Sequence, residues 1–199
     1  MVIAVPFAFG GKETSKDMEL AELFVRFARK SHKTAGIVQL SDMETAQIPH
    51  MDSCFRTSSA PHGLWYFDMV LTFPEREFLR VDYDCMIRDD VSDIFGYDFD
   101  IAIAKEHKGV MNNGVVFVRD RGIYEYAKAR YLQTDMDNWH DIQNSMSFAI
   151  DSGLFKVKKL PADIYNFIYK RVPFPDTAKI VHFKGDRKHL MMVDYGHVH

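Results

Sequence analysis

The sequence is poor in cysteine, which excludes small folds that depend on several disulfide bonds. It has two cysteines, Cys54 and Cys85, in 199 residues, of which 47% are hydrophobic. Two cysteines are too few for a disulfide framework, and zinc-ligand spacing is absent, so we expect reduced thiols and a cytoplasmic protein. The fold must therefore rest on a hydrophobic core, and a chain of this length can bury one as a single domain over residues 1–199.

The sequence also lacks an excess of basic charge and any long hydrophobic run. Lysine and arginine number 25 against 28 aspartates and glutamates, a formal charge of −3. This balance gives no footprint for non-specific binding to a nucleic-acid backbone. No apolar run reaches the roughly 18 residues that a membrane span needs. Residues 1–5 are apolar but have no cationic start, so we expect a first strand and not a signal peptide.

Patterns typical of buried strands alternate with helical periodicity along the chain. We expect strands at residues 2–9, 37–40, 78–81, 99–104, 115–119, 154–160 and 178–183, and helices at 14–35, 63–73, 122–133 and 139–150. Residues 44–61 are expected to form a long loop, and residues 111–114 a turn. This alternation predicts an α/β fold with a central, mostly parallel sheet flanked by helices.

Acidic residues follow two of the predicted strands. Asp82 and Asp84 come directly after the strand at 78–81. Residues i and i+2 of a strand project to the same side, so both acids converge on one hard cation if the strand geometry persists. Alone, such a pair more often solvates a loop. Asp42 ends the second strand, where it either touches a nucleoside or, as such acids more commonly do, caps a turn.

Four segments, taken in order, resemble the GT-A glycosyltransferases, most closely the retaining glycosyltransferase family 8 that includes glycogenin and the bacterial lipopolysaccharide galactosyltransferases. The segments are Val81-Asp82-Tyr83-Asp84, Asn112-Asn113-Gly114-Val115, His140-Asp141-Ile142-Gln143-Asn144 and His182-Phe183-Lys184-Gly185-Asp186-Arg187-Lys188. The first resembles the family's Asp-x-Asp, and the last matches its His-Phe-x-Gly-x-x-Lys. Arg80 departs from the family, where a more apolar residue is usual.

The resemblance implies a site for Mn²⁺ or Mg²⁺ and a UDP-sugar donor. In this site Asp84 and His182 bind the metal, and Asp82 is shared between the metal and a ribose hydroxyl. Gly185 and Lys188 bind the diphosphate. An ion held there neutralises the charge on the departing diphosphate.

The resemblance also implies where the base and the donor sugar lie. Phe7 or Ala8 is expected near the base, with plain core packing as the alternative for Phe7. The residues expected around the sugar are Asn112, Asn113, Gly114, Asp141 and Gln143, of which Asn113, Asp141 and Gln143 are the candidate catalytic residues. Residues 1–110 then form a nucleotide-binding half. Residues 111–199 form the sugar and acceptor half, which includes the C-terminal motif at residues 182–188.

The predicted activity is therefore transfer of a hexose, with retention, from a UDP-sugar to an acceptor. A saccharide or lipid-linked saccharide is the expected acceptor, and a protein side chain or a modified nucleobase is an alternative. Two other classes of function stay open. One is a nucleotidyltransferase, for which Gly10-Gly11-Lys12 is a faint glycine-rich loop. The other is a non-catalytic module that binds a nucleotide sugar.

Overall fold

The computed structural model describes residues 1–58, 62–105, 111–134, 139–170 and 173–196. Its strands are β1 (Val2–Pro6), β2 (Gly36–Ser41), β3 (Ser53–Arg56), β4 (Phe78–Val81), β5 (Cys85–Ile87), β6 (Ile101–Lys105), β7 (Met111–Val118), β8 (Val157–Pro161), β9 (Phe167–Ile168) and β10 (Ile180–His182). Its α-helices are α1 (Ser15–Ser31), α2 (His62–Thr72), α3 (Gly122–Tyr131), α4 (Trp139–Asp151), α5 (Ala162–Tyr165) and α6 (Lys188–Tyr195).

Seven strands form the central sheet, in the order β3-β2-β1-β4-β7-β6-β8. Strand β7 is antiparallel to β4 and to β6, and the other neighbouring pairs in this sheet are parallel. The predicted mostly parallel sheet is confirmed, and β7 is the strand of this sheet that runs antiparallel to its neighbours. All eight residues of β7 are buried, as its position in the interior of the sheet requires.

Helices cover both faces of this sheet. Buried side chains form two hydrophobic clusters, and alternate residues of one strand belong to different clusters. In β7, Val115 and Phe117 lie in the first cluster, and Val116 and Val118 lie in the second. This is the two-residue period of a strand. The first cluster includes α1 and α6, and the second includes α2, α3 and α4.

The start of α1 was predictable, and its end was not. Thr14 accepts a hydrogen bond from the backbone N–H of Asp17, and the Asp17 carboxylate accepts one from the backbone N–H of Thr14. This reciprocal capping box fixes the start of the helix expected from residue 14. The helix ends at Ser31, before Gly36, because residues 32–35 turn the chain into β2.

Two segments expected to be a loop and a turn are strands in the structure. Residues 53–56, expected within a loop, form the edge strand β3, which pairs with β2 alone. Short edge strands are half-exposed and show no alternation from which to predict them. Residues 111–114, expected to form a turn, are the first half of β7. Asn-Gly is the commonest turn dipeptide, but this glycine serves a close contact described below.

A second, three-stranded sheet has the order β5-β10-β9, with β10 antiparallel to β5 and parallel to β9. Its strands have two or three residues each, which is too short for a period to appear in the sequence. The backbone N–H of Phe183 donates to the carbonyl of Asp84, at 2.9 Å. The small sheet thereby brings the C-terminal motif beside the acidic pair.

The C-terminal motif continues into a helix that the sequence did not indicate. Within the motif, Gly185–Arg187 form a 3₁₀ turn. Lys188 is then the first residue of α6, whose Leu190 and Met191 are buried. Among the helices of the described ranges, none has both the length and the apolar character needed to cross a bilayer.

Candidate active site

A cavity of about 760 Å³ lies at the edge where the parallel strands β1, β2 and β4 end. The antiparallel β7 contributes its first residues to the same edge. Predicted site residues in its wall are Phe7, Ala8, Asp82, Asp84, Asn112, Gly114, Gln143, His182, Gly185 and Lys188. Cavities of about 300–1,000 Å³ are typical of small-molecule sites.

Two predicted catalytic residues are not among the residues that line this cavity. Asn113 lies between Asn112 and Gly114 in β7, and its buried side-chain nitrogen and oxygen have no hydrogen-bond partner within the described residues. Asp141 lies in the first turn of α4, two residues before Gln143, which does line the cavity. The catalytic roles of Asn113 and Asp141 stay predictions.

The two acids of the Asp-x-Asp segment contact different side chains. Strand β4 ends at Val81, and the backbone N–H of Cys85 donates to the carbonyl of Asp82, at 3.1 Å. The chain therefore turns after Asp82, so the condition under which both acids would converge on one cation through strand geometry is not met. Asp82 Oδ1 accepts a hydrogen bond from Arg80 Nη2, at 3.0 Å.

Arg80 is a buried cation under the cavity, and the sequence marked it only as a departure from the family. Its side chain is 1% exposed. Besides Asp82, it donates to the carbonyl of Asn113 and lies over the ring of Tyr66, at 4.7 Å from the centroid. These contacts fix a permanent positive charge beside Asp82.

Asp84 lies between an ammonium group and an imidazole ring. Its Oδ2 is 3.1 Å from Lys188 Nζ, and its Oδ1 is 3.2 Å from His182 Nε2, although its side chain is only 5% exposed. Burial alone raises the pKa of this carboxyl, but His182 and Lys188 outweigh burial and lower the pKa to about 2. Burial in turn lowers the pKa of Lys188, but Asp84 and Tyr83 raise it further than burial lowers it. Asp84 is thus ionised at neutral pH.

The residues around Asp84 fit a divalent cation. One ligand atom each from Asp84, Cys85 and His182 lie within 4.8 Å of one another. Asp84 Oδ1 is buried and accepts no hydrogen bond within the described residues. Its 3.2 Å separation from His182 Nε2 suits two ligands of one ion, since atoms about 2.1 Å from an ion, with bonds at right angles, are about 3 Å apart. Oxygen and imidazole ligands together suit manganese.

Two neighbouring side chains fit that ion less well. Burial raises the pKa of the Cys85 thiol well above its usual range, and Asp84 adds to the effect. A neutral, apolar-packed thiol is a poor ligand for a hard cation. Asp82 is outside the cluster, and one of its oxygens is bound to Arg80. The predicted metal role of Asp82 stays a prediction.

Gly114 allows β7 to pass directly against the His182 ring. A Cβ atom at this position would lie 2.3 Å from His182 Cε1 and 2.8 Å from Nδ1. No side chain larger than hydrogen fits there without a displacement of the ring. The glycine of the Asn-Asn-Gly segment is therefore required by contact with the other motif, and the two motifs form one structural unit.

Aromatic side chains form another part of the cavity wall. The Phe7 ring packs edge-on against Phe9 and Tyr83, at centroid distances of 4.9 and 5.1 Å. Lys188 Nζ lies 4.5 Å from the centroid of the Tyr83 ring and 3.2 Å from its hydroxyl. Phe7 is almost fully buried, so its side chain mainly packs in the core, and its expected place near the base stays a prediction. Tyr83 had no signal in the sequence beyond its place between the two aspartates.

Asp42 lines the cavity but holds a loop, which is the more common of its two expected roles. Its carboxylate accepts four hydrogen bonds, from the backbone N–H groups of Gly10, Glu44 and Thr45 and from the Thr45 hydroxyl, at 2.7–2.9 Å. Burial raises the pKa of Asp42, but these donors outweigh it and lower the pKa to about 2.

Solved structures resemble this architecture, whereas no protein-family model and no curated protein matches the sequence. The galactosyltransferase LgtC, in complex with donor and acceptor sugar analogues, superposes with a TM-score of 0.64 at 10% identity, over 94% of this chain and 88% of that one. The chain has the GT-A glycosyltransferase fold. LgtC belongs to glycosyltransferase family 8, so the likeness expected from the four segments is confirmed at the level of fold.

Other proteins with the GT-A fold resemble the chain to a similar degree. The glycosyltransferase GlyE of Streptococcus pneumoniae TIGR4 gives a TM-score of 0.64 at 14% identity, over 93% of this chain and 54% of GlyE. A glycosyltransferase involved in glycosylation of the major capsid of PBCV-1 gives 0.61 at 16% identity, over 96% of this chain and 98% of that one. At these identities the likeness is one of fold.

Gly114→Ala tests the close contact between β7 and His182. We expect it to lower the free energy of unfolding by about 1–3 kcal/mol, because the new methyl group forces the ring or the strand to move. Gly36→Ala is the matched control, since a Cβ there would lie 3.7 Å from Val2 Cγ2, an ordinary contact. Urea denaturation of both variants measures the difference, and equal stability of the two would contradict the required contact.

Asp42→Asn tests the loop anchor through its pH dependence. The folded pKa of about 2 lies below the ordinary 3.8, so the ionised carboxylate stabilises the fold fully above about pH 4. We expect the variant to lose about 2 kcal/mol at pH 6, and the difference from wild type to shrink as the pH falls from 4 to 2. The exposed Asp176→Asn is the control. Denaturation midpoints that differ equally at pH 6 and pH 2.5 would rule out this account.

Proposed function

We propose that the protein is a metal-dependent glycosyltransferase that moves a hexose from a UDP-sugar to a saccharide or lipid-linked saccharide, with retention. The observation that supports this most directly is that one cavity joins the aromatic pair Phe9 and Tyr83 to the cluster of Asp84, His182 and Lys188. A nucleoside diphosphate sugar needs both kinds of contact: a surface for the base, and cations for the diphosphate.

In this proposal, Asp84 and His182 hold Mn²⁺ or Mg²⁺, which supplies the positive charge that stabilises the departing diphosphate. Lys188 contacts the diphosphate oxygens as a point charge. Its position supports this role, since its side chain is 38% exposed, lines the cavity and already lies at Asp84. Gly185, three residues earlier, lines the same wall and leaves room for the phosphates.

The donor sugar is proposed to lie between β7 and α4. Asn112 and Gly114 line the cavity from one side and Gln143 from the other. Amide groups at such positions discriminate the configuration of sugar hydroxyls, because an unmatched polar group is costly. Residues 1–110 then hold the nucleotide, and residues 111–199 hold the sugar and the acceptor. A departing phosphate oxygen acts as the base toward the acceptor, which requires no protein nucleophile.

The charges around the cavity support a requirement for the metal in donor binding. Asp82 is compensated by Arg80, and Asp84 by Lys188, so the cluster has little net positive charge to offer a diphosphate. A divalent ion held at Asp84 Oδ1 adds two positive charges beside Lys188, which meets the other oxygen of Asp84. Donor affinity should therefore depend on the ion.

Titration with UDP tests this dependence. We expect UDP to bind in the presence of Mn²⁺ and to lose most of its affinity when a chelator is in excess. Isothermal titration calorimetry measures both conditions, and Asp84→Asn should bring the Mn²⁺ titration close to the chelator result. Equal UDP affinity with manganese and with chelator would refute the metal site.

A panel of nucleotide sugars, scored for release of the nucleoside diphosphate, then identifies the donor.

Lys188→Ala separates a diphosphate site from a simple cation site. The loss of a charge-assisted contact costs about 1.5–3 kcal/mol, so donor affinity or turnover should fall by about one to two powers of ten. Mn²⁺ binding should persist, because Asp84 and His182 are intact, whereas Asp84→Asn should impair both. The exposed Lys16→Ala is the control. Wild-type turnover of a donor by Lys188→Ala would count against the role of the C-terminal motif.

A further inference from the structure

Asn166 belongs to none of the sequence motifs, yet it connects two of them. It follows α5 directly and is 1% exposed. Its Nδ2 lies 3.2 Å from Asn112 Oδ1, and its Oδ1 lies 3.0 Å from His182 Nδ1. A chain of hydrogen bonds therefore runs from β7 to the imidazole beside Asp84.

The backbone determines which way each amide in this chain points. The N–H of Gly114 can only donate, and it lies 2.7 Å from the Asn112 side chain, so that atom is the amide oxygen. The Asn166 group that meets the same oxygen must then donate, and it is the NH₂ group. The oxygen of Asn166 is left to face His182. The orientation of both amides thus follows from a single backbone N–H.

The ring nitrogen that faces an amide oxygen must carry a hydrogen, so His182 is protonated at Nδ1. In the neutral imidazole, Nε2 then holds the lone pair. Nε2 is the atom that lies 3.2 Å from Asp84 Oδ1. Gly114 of β7 packs directly against this ring, since a Cβ at that position would lie 2.3 Å from His182 Cε1.

We propose that Asn166 is a positioning residue that holds His182 in its Nδ1–H tautomer and so keeps Nε2 available to a divalent cation. The inference rests on the metal site of the proposed function. Without the Asn166 acceptor, the neutral ring carries its hydrogen on Nε2 instead, because Asp84 Oδ1 accepts a hydrogen bond there. That hydrogen then occupies the position of the ion. Removal of a hydrogen-bond partner of this kind typically lowers metal affinity 10–100-fold.

Two substitutions at this position separate the hydrogen bond from the packing. Asn166→Leu keeps approximately the same volume but cannot accept a hydrogen bond. Asn166→Asp gives up the bond to Asn112 Oδ1 but keeps an oxygen toward Nδ1, so it should preserve the tautomer. Asn144→Leu, on the exposed side of α4, is the control for an added leucine. Circular dichroism and urea denaturation verify that each variant folds.

The first measurement is ¹⁵N NMR of histidine-labelled, metal-free protein at a pH where the ring is neutral. The His182 signals are assigned by their loss in His182→Gln. We expect the Nδ1–H tautomer in the wild type and in Asn166→Asp, and a shift toward Nε2–H in Asn166→Leu. An Nε2–H tautomer in the wild type would overturn the inference without recourse to any variant.

The second measurement is Mn²⁺ affinity by electron paramagnetic resonance, with no donor present. We expect binding by Asn166→Leu to be about 10–100-fold weaker than wild type, and binding by Asn166→Asp to stay within about threefold. Unchanged affinity in a folded Asn166→Leu would overturn the inference and leave the proposed function intact. Failure of the wild type to bind Mn²⁺ would overturn the metal site of the proposed function and the metal part of this inference together. The tautomer measurement would in that case still decide whether Asn166 acts on His182.

Discussion

A buried carboxylate needs compensation, and the site is built around that requirement at Asp84. An ionised acid removed from water costs several kcal/mol unless charges or hydrogen bonds replace its hydration. At Asp84 the ammonium of Lys188 meets one oxygen and the imidazole of His182 faces the other, and both residues lie about a hundred positions further along the chain. The small sheet of β5, β10 and β9 and the helix α6 bring these side chains to the end of β4. An acid, an imidazole and an ammonium in one pocket are a consequence of that topology.

The central sheet contributes rigidity to this site. The eight buried residues of β7 lie between β4 and β6, and Gly114 meets the imidazole with no side chain between them. Arg80 links β4 to β7 through Asp82 and the carbonyl of Asn113. The positions of the acidic pair and of the Asn-Asn-Gly segment are thereby coupled, so neither can shift without the other.

The α/β class, the mostly parallel sheet and most of the predicted site residues that line the cavity could be predicted from the sequence, because they depend on local periodicity and on short motifs. The elements β3, β9 and α6 could not be predicted, because their stability comes from neighbours that are distant in the chain. The Asn-Gly segment was misplaced because a turn and a close strand contact both require glycine. Asn166 gave no signal, since its partners lie 16 and 54 residues away.

The placement of Lys188 on α6 divides the site into parts of unequal local stability. Asp84 and His182 are held beside buried strands, whereas Lys188 begins an eight-residue helix at the periphery that is anchored by Leu190 and Met191. Peripheral elements of this kind open at a lower free-energy cost than a central sheet. The ammonium group can therefore be released by a local opening that leaves the carboxylate and imidazole in place. In hydrogen exchange, amides of α6 would report on this part of the pocket separately from those of β7.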